Sequence, residues 1–185
     1  RLDDGTLVVA SSGLRTEHVC PWGKTVLLTS KDDGQSWSEP EILNDTPLDD
    51  RDAGVVNLGG ERLLVSWLTS DTRRHYERKK ESMKEDEKQL WEEKLSEWND
   101  ELVGEWLGSW VRLREDGGHW SDPIKVPVST PHGPIVLANG DLLYFGKNSS
   151  DGMVPGAIQA CRSSDGGRNW IGLGDVPIPA DTVNS

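Results

Sequence analysis

Short apolar runs, each launched from a glycine-bearing turn, punctuate the chain. Three share one pattern: Gly5-Thr6-Leu7-Val8-Val9, Gly60-Glu61-Arg62-Leu63-Leu64-Val65 and Gly140-Asp141-Leu142-Leu143-Tyr144. Runs of this length between turn signals read as strands. Each is followed by a polar octet ending in Trp. Ser30-Lys31-Asp32-Asp33-Gly34-Gln35-Ser36-Trp37 and Ser163-Ser164-Asp165-Gly166-Gly167-Arg168-Asn169-Trp170 both read S-x-D-x-G-x-[STN]-W. Glu115-Asp116-Gly117-Gly118-His119-Trp120 keeps the Asp, Gly and Trp with one residue fewer before the Trp. From landmark Leu to octet Trp the distances are 30, 57 and 28 residues. The middle repeat therefore carries an insertion of about 28 residues, and without it the repeats recur at roughly 50 to 55, the period of a propeller blade.

Each repeat reads as four antiparallel strands, the middle one over 54–58, 62–68, 109–114 and 123–128. The octet is then the turn between third and fourth strands. Its Asp suits a turn because the carboxylate accepts turn N–H groups, its Gly because the chain there needs positive φ, and its Trp by folding back to bury apolar area between neighbouring sheets. The predicted fold class is all-β, with blades at about 1–45, 51–128 and 132–178. The insertion, about 72–104, differs. Trp91, Leu95, Trp98 and Leu102 fall at steps of 4, 3 and 4, one stripe of an amphipathic helix or helical hairpin.

The octets resemble the Asp boxes, or BNR repeats, of the sialidase superfamily, and the likeness covers almost the whole chain. It implies a six-bladed propeller of which about three blades are present, the N-terminal half of such an enzyme. It also implies structural roles for Asp32, Gly34, Trp37, Asp116, Trp120, Asp165, Gly167 and Trp170. Sialidases bind the substrate carboxylate with an arginine triad, use a Tyr paired with Glu as nucleophile and an Asp as acid/base. The loop that holds that Asp contains Arg15, Glu17 and His18 here, but no Asp. Tyr144 lies mid-strand and Tyr76 in the insertion, so neither matches the nucleophile. The implied activity is that of a sialidase-like exo-glycosidase of undetermined sugar.

Strand parity places the Asp boxes at one end of the sheets and the starts of the innermost strands at the other. Counting back eight residues from Gly60 gives Asp52, and from Gly140 gives His132. These equivalent positions are the candidate catalytic pair. Arg15, His18, Asp50, Arg51 and Lys147 are the candidate substrate-binding residues, with the loops 13–24 and 146–156 around them. Mixed Arg, Asp and His at one end suit an anionic or hydroxyl-rich ligand and a proton transfer. Because the insertion replaces a loop after a second strand, it belongs to this same end, as a lid, a subsite wall or a solvated ornament.

Charge narrows the partners. With 20 Lys and Arg against 32 Asp and Glu, the net charge is -12, opposite to what a phosphate backbone or anionic membrane attracts. A carbohydrate is the expected partner, with no nucleic acid and no membrane. A ribonuclease, another activity found on Asp-box folds, suffers from the same charge. A non-catalytic carbohydrate- or protein-binding propeller remains the alternative to a glycosidase. Two cysteines, Cys20 and Cys161, make no disulfide framework, and His18-x-Cys20 alone makes no metal site, so neither metal nor cofactor is expected. The sequence starts at Arg1 with no visible leader, and the compartment leans only slightly to the extracellular.

Overall fold

The computed structural model describes residues 1–148 and 158–177. It is mostly β, with three antiparallel sheets in chain order. The first holds β1 (Leu7–Gly13), β2 (Lys24–Ser30) and β3 (Glu41–Asn44), in that order. The second is a four-stranded meander of β4 (Asp49–Gly59), β5 (Arg62–Ser70), β6 (Gly108–Arg114) and β7 (Ile124–Val126). The third runs outward from two short strands, β8 (Val128–Ser129) and β9 (Ile135–Val136), which both pair with β10 (Leu142–Asn148), and on through β11 (Ile158–Ser163) to β12 (Ile171–Asp175).

The sheets are held face to face by two seams. Leu63 to Trp67 of β5 are all buried, because successive side chains point to opposite faces and both faces are covered. Val65 joins Leu27 and Leu43 of the first sheet, with Trp120 packed against them. Leu64 joins Val111, Leu113, Val126, Val128, Leu142, Tyr144 and Cys161, with Trp170 against them. The Arg112 guanidinium stitches the first seam by donating to the Leu43 carbonyl at 2.7 Å and to the Ser121 carbonyl at 2.7 Å.

Two expectations are corrected here. Val128, assigned to the last strand of the middle repeat, pairs with Asn148 and so begins the third sheet. Trp37, expected between sheets, is 42% exposed. The reason is positional: Trp120 and Trp170 each close the seam with the preceding sheet, and among the described residues no sheet precedes the first. Position 178, the expected end of the third repeat, lies outside the described residues.

The insertion folds as α1 (Arg73–Lys79), a 3-10 turn over Lys80–Ser82, α2 (Glu85–Ser96) and α3 (Asp100–Trp106). Glu85, Asp86 and Glu87 open α2, where negative charge suits the N-terminal dipole, and the Asn99 side chain caps α3 by accepting from the Leu102 N–H at 2.8 Å. The apolar stripe divides between two clusters. Trp91 packs with Cys20, Tyr76, Val19, Trp22 and Met83, whereas Trp98 packs with Leu48, Val103, Trp106 and Leu107. The helices thus sit on loop 14–23 and on the entry to β4.

Candidate functional site

The two ends of the sheets are chemically distinct. At one end are the box turns. In the first, the Ser30 hydroxyl donates to Asp32 Oδ1 at 2.8 Å and accepts from the Gly34 N–H at 2.8 Å; the third repeats this with Ser163, Asp165 and Gly167 at the same distances. The carboxylates also accept from Ser36 and Asn169, and these bonds hold both acids down at about 2, led by the Ser36 hydroxyl for Asp32 and the Asn169 N–H for Asp165. Gly34 and Gly167 take φ of 86° and 98°, and each Trp N–H reaches its turn glycine's carbonyl, Trp37 at 3.2 Å and Trp170 at 3.0 Å. Asp116 is different. Arg114 stands where the other boxes have Ser, the turn closes through Gly118 N–H to the Glu115 carbonyl, and the Asp116 side chain is exposed. A groove of about 420 Å³ at this end, lined by Asp3, Asp4, Lys31, Glu61 and Arg114 among others, contains no buried charged side chain.

At the other end β4 begins with Asp49-Asp50-Arg51-Asp52. Alternation puts Asp49 and Arg51 on one face and Asp50 on the other. Asp49 is fully buried. Arg15 meets it at 2.7 Å, Arg51 at 3.8 Å, and the Cys20 N–H donates to it at 3.4 Å. Burial nevertheless lifts its carboxyl to about 6, against the pull of the two arginines. Arg15 also donates to the carbonyls of Asp50 at 2.9 Å and His18 at 2.7 Å, so its guanidinium fastens loop 14–23 to β4. Gly23 permits that closeness, since a Cβ there would lie 2.3 Å from Arg15 Nη1 and 2.4 Å from Asp49 Oδ1.

Asp50 is buried on the opposite face, where it accepts from the Thr46 N–H and hydroxyl, both at 2.8 Å. Burial pushes it up to about 7. Its geometry fixes the β3–β4 connection and leaves no surface for a substrate. Arg51 reaches past Asp49: its Nη2 lies 3.0 Å from His18 Nε2 and its Nε 3.7 Å from Asp52 Oδ2. His18 is exposed and the Asp52 side chain is 33% exposed.

Asp52 and His132 share a feature that sequence offsets alone do not reveal. Both adopt left-handed backbone, φ of 56° and 73°. Asp52 lies where the β4–β5 register shifts between Arg51 and Gly54, and its N–H donates to the Ser12 hydroxyl at 2.7 Å. His132 lies in the gap between β8 and β9, in Pro131-His132-Gly133-Pro134. Asp and His tolerate this region better than most residues, yet it costs about 1–3 kcal/mol where a glycine would sit freely. Gly54 lets the β8–β9 connection pack on β4, because a Cβ there would fall 2.3 Å from the His132 carbonyl oxygen.

The structure therefore gathers Arg15 and Arg51 on the buried Asp49, with His18 and Asp52 against Arg51, packs the His132 backbone on Gly54, and turns Asp50 away. Lys147 is exposed, at the same end of β10, paired with Ser129. Loop residues 149–156, grouped with it, lie outside the described residues. Sequence reasoning missed Asp49, though its place two before Arg51 on one strand was a signal. It also missed His75 of α1, whose ring stacks on Trp91 at 5.9 Å. Burial lowers the His75 pKa, and the charges of Lys79, Arg78 and Arg51 add to this against Glu17. Tyr144 is buried, donates to the Thr130 carbonyl at 3.3 Å and is pushed up to about 12 by burial. Both cysteines are free and buried, and among the described residues no group of His, Cys, Asp and Glu is arranged to hold a metal ion. No described helix is long and apolar enough to cross a membrane.

The fold is shared with solved structures. Over 97% of this chain and 54% of the other, it matches a protein of unknown function from Dyadobacter fermentans DSM 18053, with TM-score 0.66 and 19% identity. Over 95% of this chain and 36% of the other, it matches the Hadza microbial sialidase Hz136, with TM-score 0.59 and 15% identity. The chain thus spans about half of one and about a third of the other. At these identities the likeness is one of fold. No protein-family model matches the sequence, and no curated protein does.

Proposed function

We propose that the chain is part of a sialidase-like exo-glycosidase acting on an anionic or hydroxyl-rich sugar, bound at the end of the sheets opposite the Asp boxes. The observation that carries this reading is the pair of left-handed residues, Asp52 at a bulge of β4 beside Arg51 and its His18 partner, and His132 in the β8–β9 connection whose backbone packs on Gly54. Strained backbone at matched positions is a recurrent mark of functional sites. Asp52 is the acid/base, Arg51 with His18 holds the anionic or hydroxyl groups, and His132 supplies a second hydrogen-bonding or proton-bearing group. Arg15 acts one step back, by fixing the loop. The fold shared with a sialidase supports the glycan-directed reading, whereas the roles of the individual residues rest on their geometry.

In this reading the three sheets are half of a six-bladed propeller. Supporting it, both flanks carry exposed apolar side chains, Trp37, Val9 and Ile42 on the first sheet, Ile171 and Leu173 on the third. Residues 1–185 alone are then inactive, because the arc leaves the site open to water and, among the described residues, offers no free tyrosine.

The test is turnover of a panel of aryl glycosides, including a sialoside, by the full-length protein and its Asp52→Asn variant. Loss of a working acid/base lowers kcat by about 10²- to 10⁴-fold. Equal turnover by the two removes Asp52 from the mechanism. A non-catalytic glycan-binding propeller is the second reading, favoured by the engagement of both tyrosines, Tyr144 with Thr130 and Tyr76 with Glu92. Its mark is sugar binding without turnover of any glycoside.

A further inference from the structure

The insertion is built against the candidate site. Trp91 is fully buried, and its neighbours come from both sides of a junction: Tyr76, Met83 and Leu95 from the insertion, Val19, Cys20 and Trp22 from loop 14–23. Trp22 meets it edge-on at 5.9 Å, and Tyr76 stacks on it at 6.0 Å. On the polar side of the same junction, Lys79 of α1 pairs with Glu17, the residue before His18. Arg15, within the loop, ties the same stretch to β4: its guanidinium donates to the Glu17 and His18 carbonyls and meets Asp49 and the Asp50 carbonyl. His18 is thus exposed, yet its backbone is gripped from two directions while its ring meets Arg51.

We infer that the helical insertion is a positioning element for this site: through Trp91 and Lys79 it holds loop 14–23 so that His18 stands against Arg51. What the pair does in catalysis rests on the function proposed above; how it is held rests on the contacts alone. Neither Trp91 nor Lys79 touches the ligand. A solvated ornament would have no need of a fully buried Trp between its helices and a loop of another sheet. A lid would leave the loop's own position independent of it.

The experiment uses the full-length protein with isotopically labelled histidine, each ring assigned by substitution. Trp91→Leu is the first variant; Lys79→Met, which removes a part-exposed ion pair that a folded chain tolerates losing, is the second. The His18 ring resonances are expected to move toward their positions in Arg51→Ala, while those of His119, at the box end, stay in place. His18 resonances unmoved in a folded Lys79→Met protein, and in Trp91→Leu where it folds, would overturn the inference. The kinetic arm uses whichever aryl glycoside the protein turns over. KM is expected to rise about threefold to tenfold with kcat nearly constant, and the rise to vanish in a His18→Ala background, because residues acting through one another are not additive. An equal rise in that background overturns the positioning role. If no glycoside is turned over, the glycosidase reading fails while the resonances still decide how His18 is held.

Discussion

Substituting Gly54 by Ala tests the contact on which the site is built. The added Cβ would sit 2.3 Å from the His132 carbonyl oxygen, 2.4 Å from its carbon and 2.9 Å from the Gly133 nitrogen, all backbone atoms that no rotamer change can move. Ordinary contact begins at 3.4 Å, so the second and third sheets must separate locally by about 1 Å. Overpacking of this kind costs about 1–3 kcal/mol, less the few tenths to 1 kcal/mol that Ala contributes by restricting the unfolded chain. The net loss is up to about 2.6 kcal/mol, and at about 2–4 °C per kcal/mol for a chain of this size Tm falls by up to roughly 10 °C. Gly104 is the control. It lies inside α3 with nothing within 4 Å of an added Cβ, so Gly104→Ala stabilises by about 0.5–1 kcal/mol. Thermal and urea unfolding of both variants read the result. A Gly54→Ala protein unfolding with wild-type midpoints would refute the close approach of the His132 backbone to β4.

Arg15→Met leaves Asp49 buried with only the more distant Arg51, and is expected to cost about 3–5 kcal/mol by urea unfolding; Arg15→Met with Asp49→Leu recovers much of it. Asp50, raised to about 7 from 3.8, binds a proton in the folded state through a range where the unfolded chain has lost it, so it contributes stability that declines as pH rises toward 7. The wild-type urea midpoint should therefore drop more between pH 5 and pH 8 than that of Asp50→Asn, and an identical drop would remove the effect. Asp165→Ala strips the box turn of its acceptor and should cost about 1–2 kcal/mol, whereas Asp116→Ala, at a turn closed by backbone alone, should stay within about 0.5 kcal/mol.

The sequence made the repeats legible because their chemistry is local. A Ser two before Asp and a Gly two after it make one turn, wherever that turn sits in the chain, and the structure builds it twice with the same distances. The matched positions of Asp52 and His132 were legible for the same reason, by counting from a turn. What was not legible depends on neighbours. Asp49 and Asp50 sit in a charge run, which reads as solvated face, and only the packing of loop 14–23 and Thr46 around them makes them buried. Arg15 read as a ligand-binding cation, but its donors are engaged by Asp49 and the Asp50 carbonyl of β4 and by the Glu17 and His18 carbonyls of its own loop. Trp37 has the local pattern of a buried Trp, and its exposure follows from the absence of a described sheet before the first. The stripe at Trp91, Leu95, Trp98 and Leu102 marked the insertion as helical; its division between the Trp91 and Trp98 clusters followed from a break at Glu97-Trp98-Asn99, where Asn99 caps a new helix.

Four histidines mark the two ends of the molecule, His18 and His132 at the proposed ligand end, His119 at a box turn and His75 in the insertion. Titrating the histidine-labelled full-length protein with a sialoside and with neutral glycosides tests the central claim directly. The account predicts that the sugar that binds moves the His18 and His132 resonances and leaves His119 unmoved. Shifts confined to His119, or a His18–His132 pair that no sugar in the panel perturbs, would contradict it.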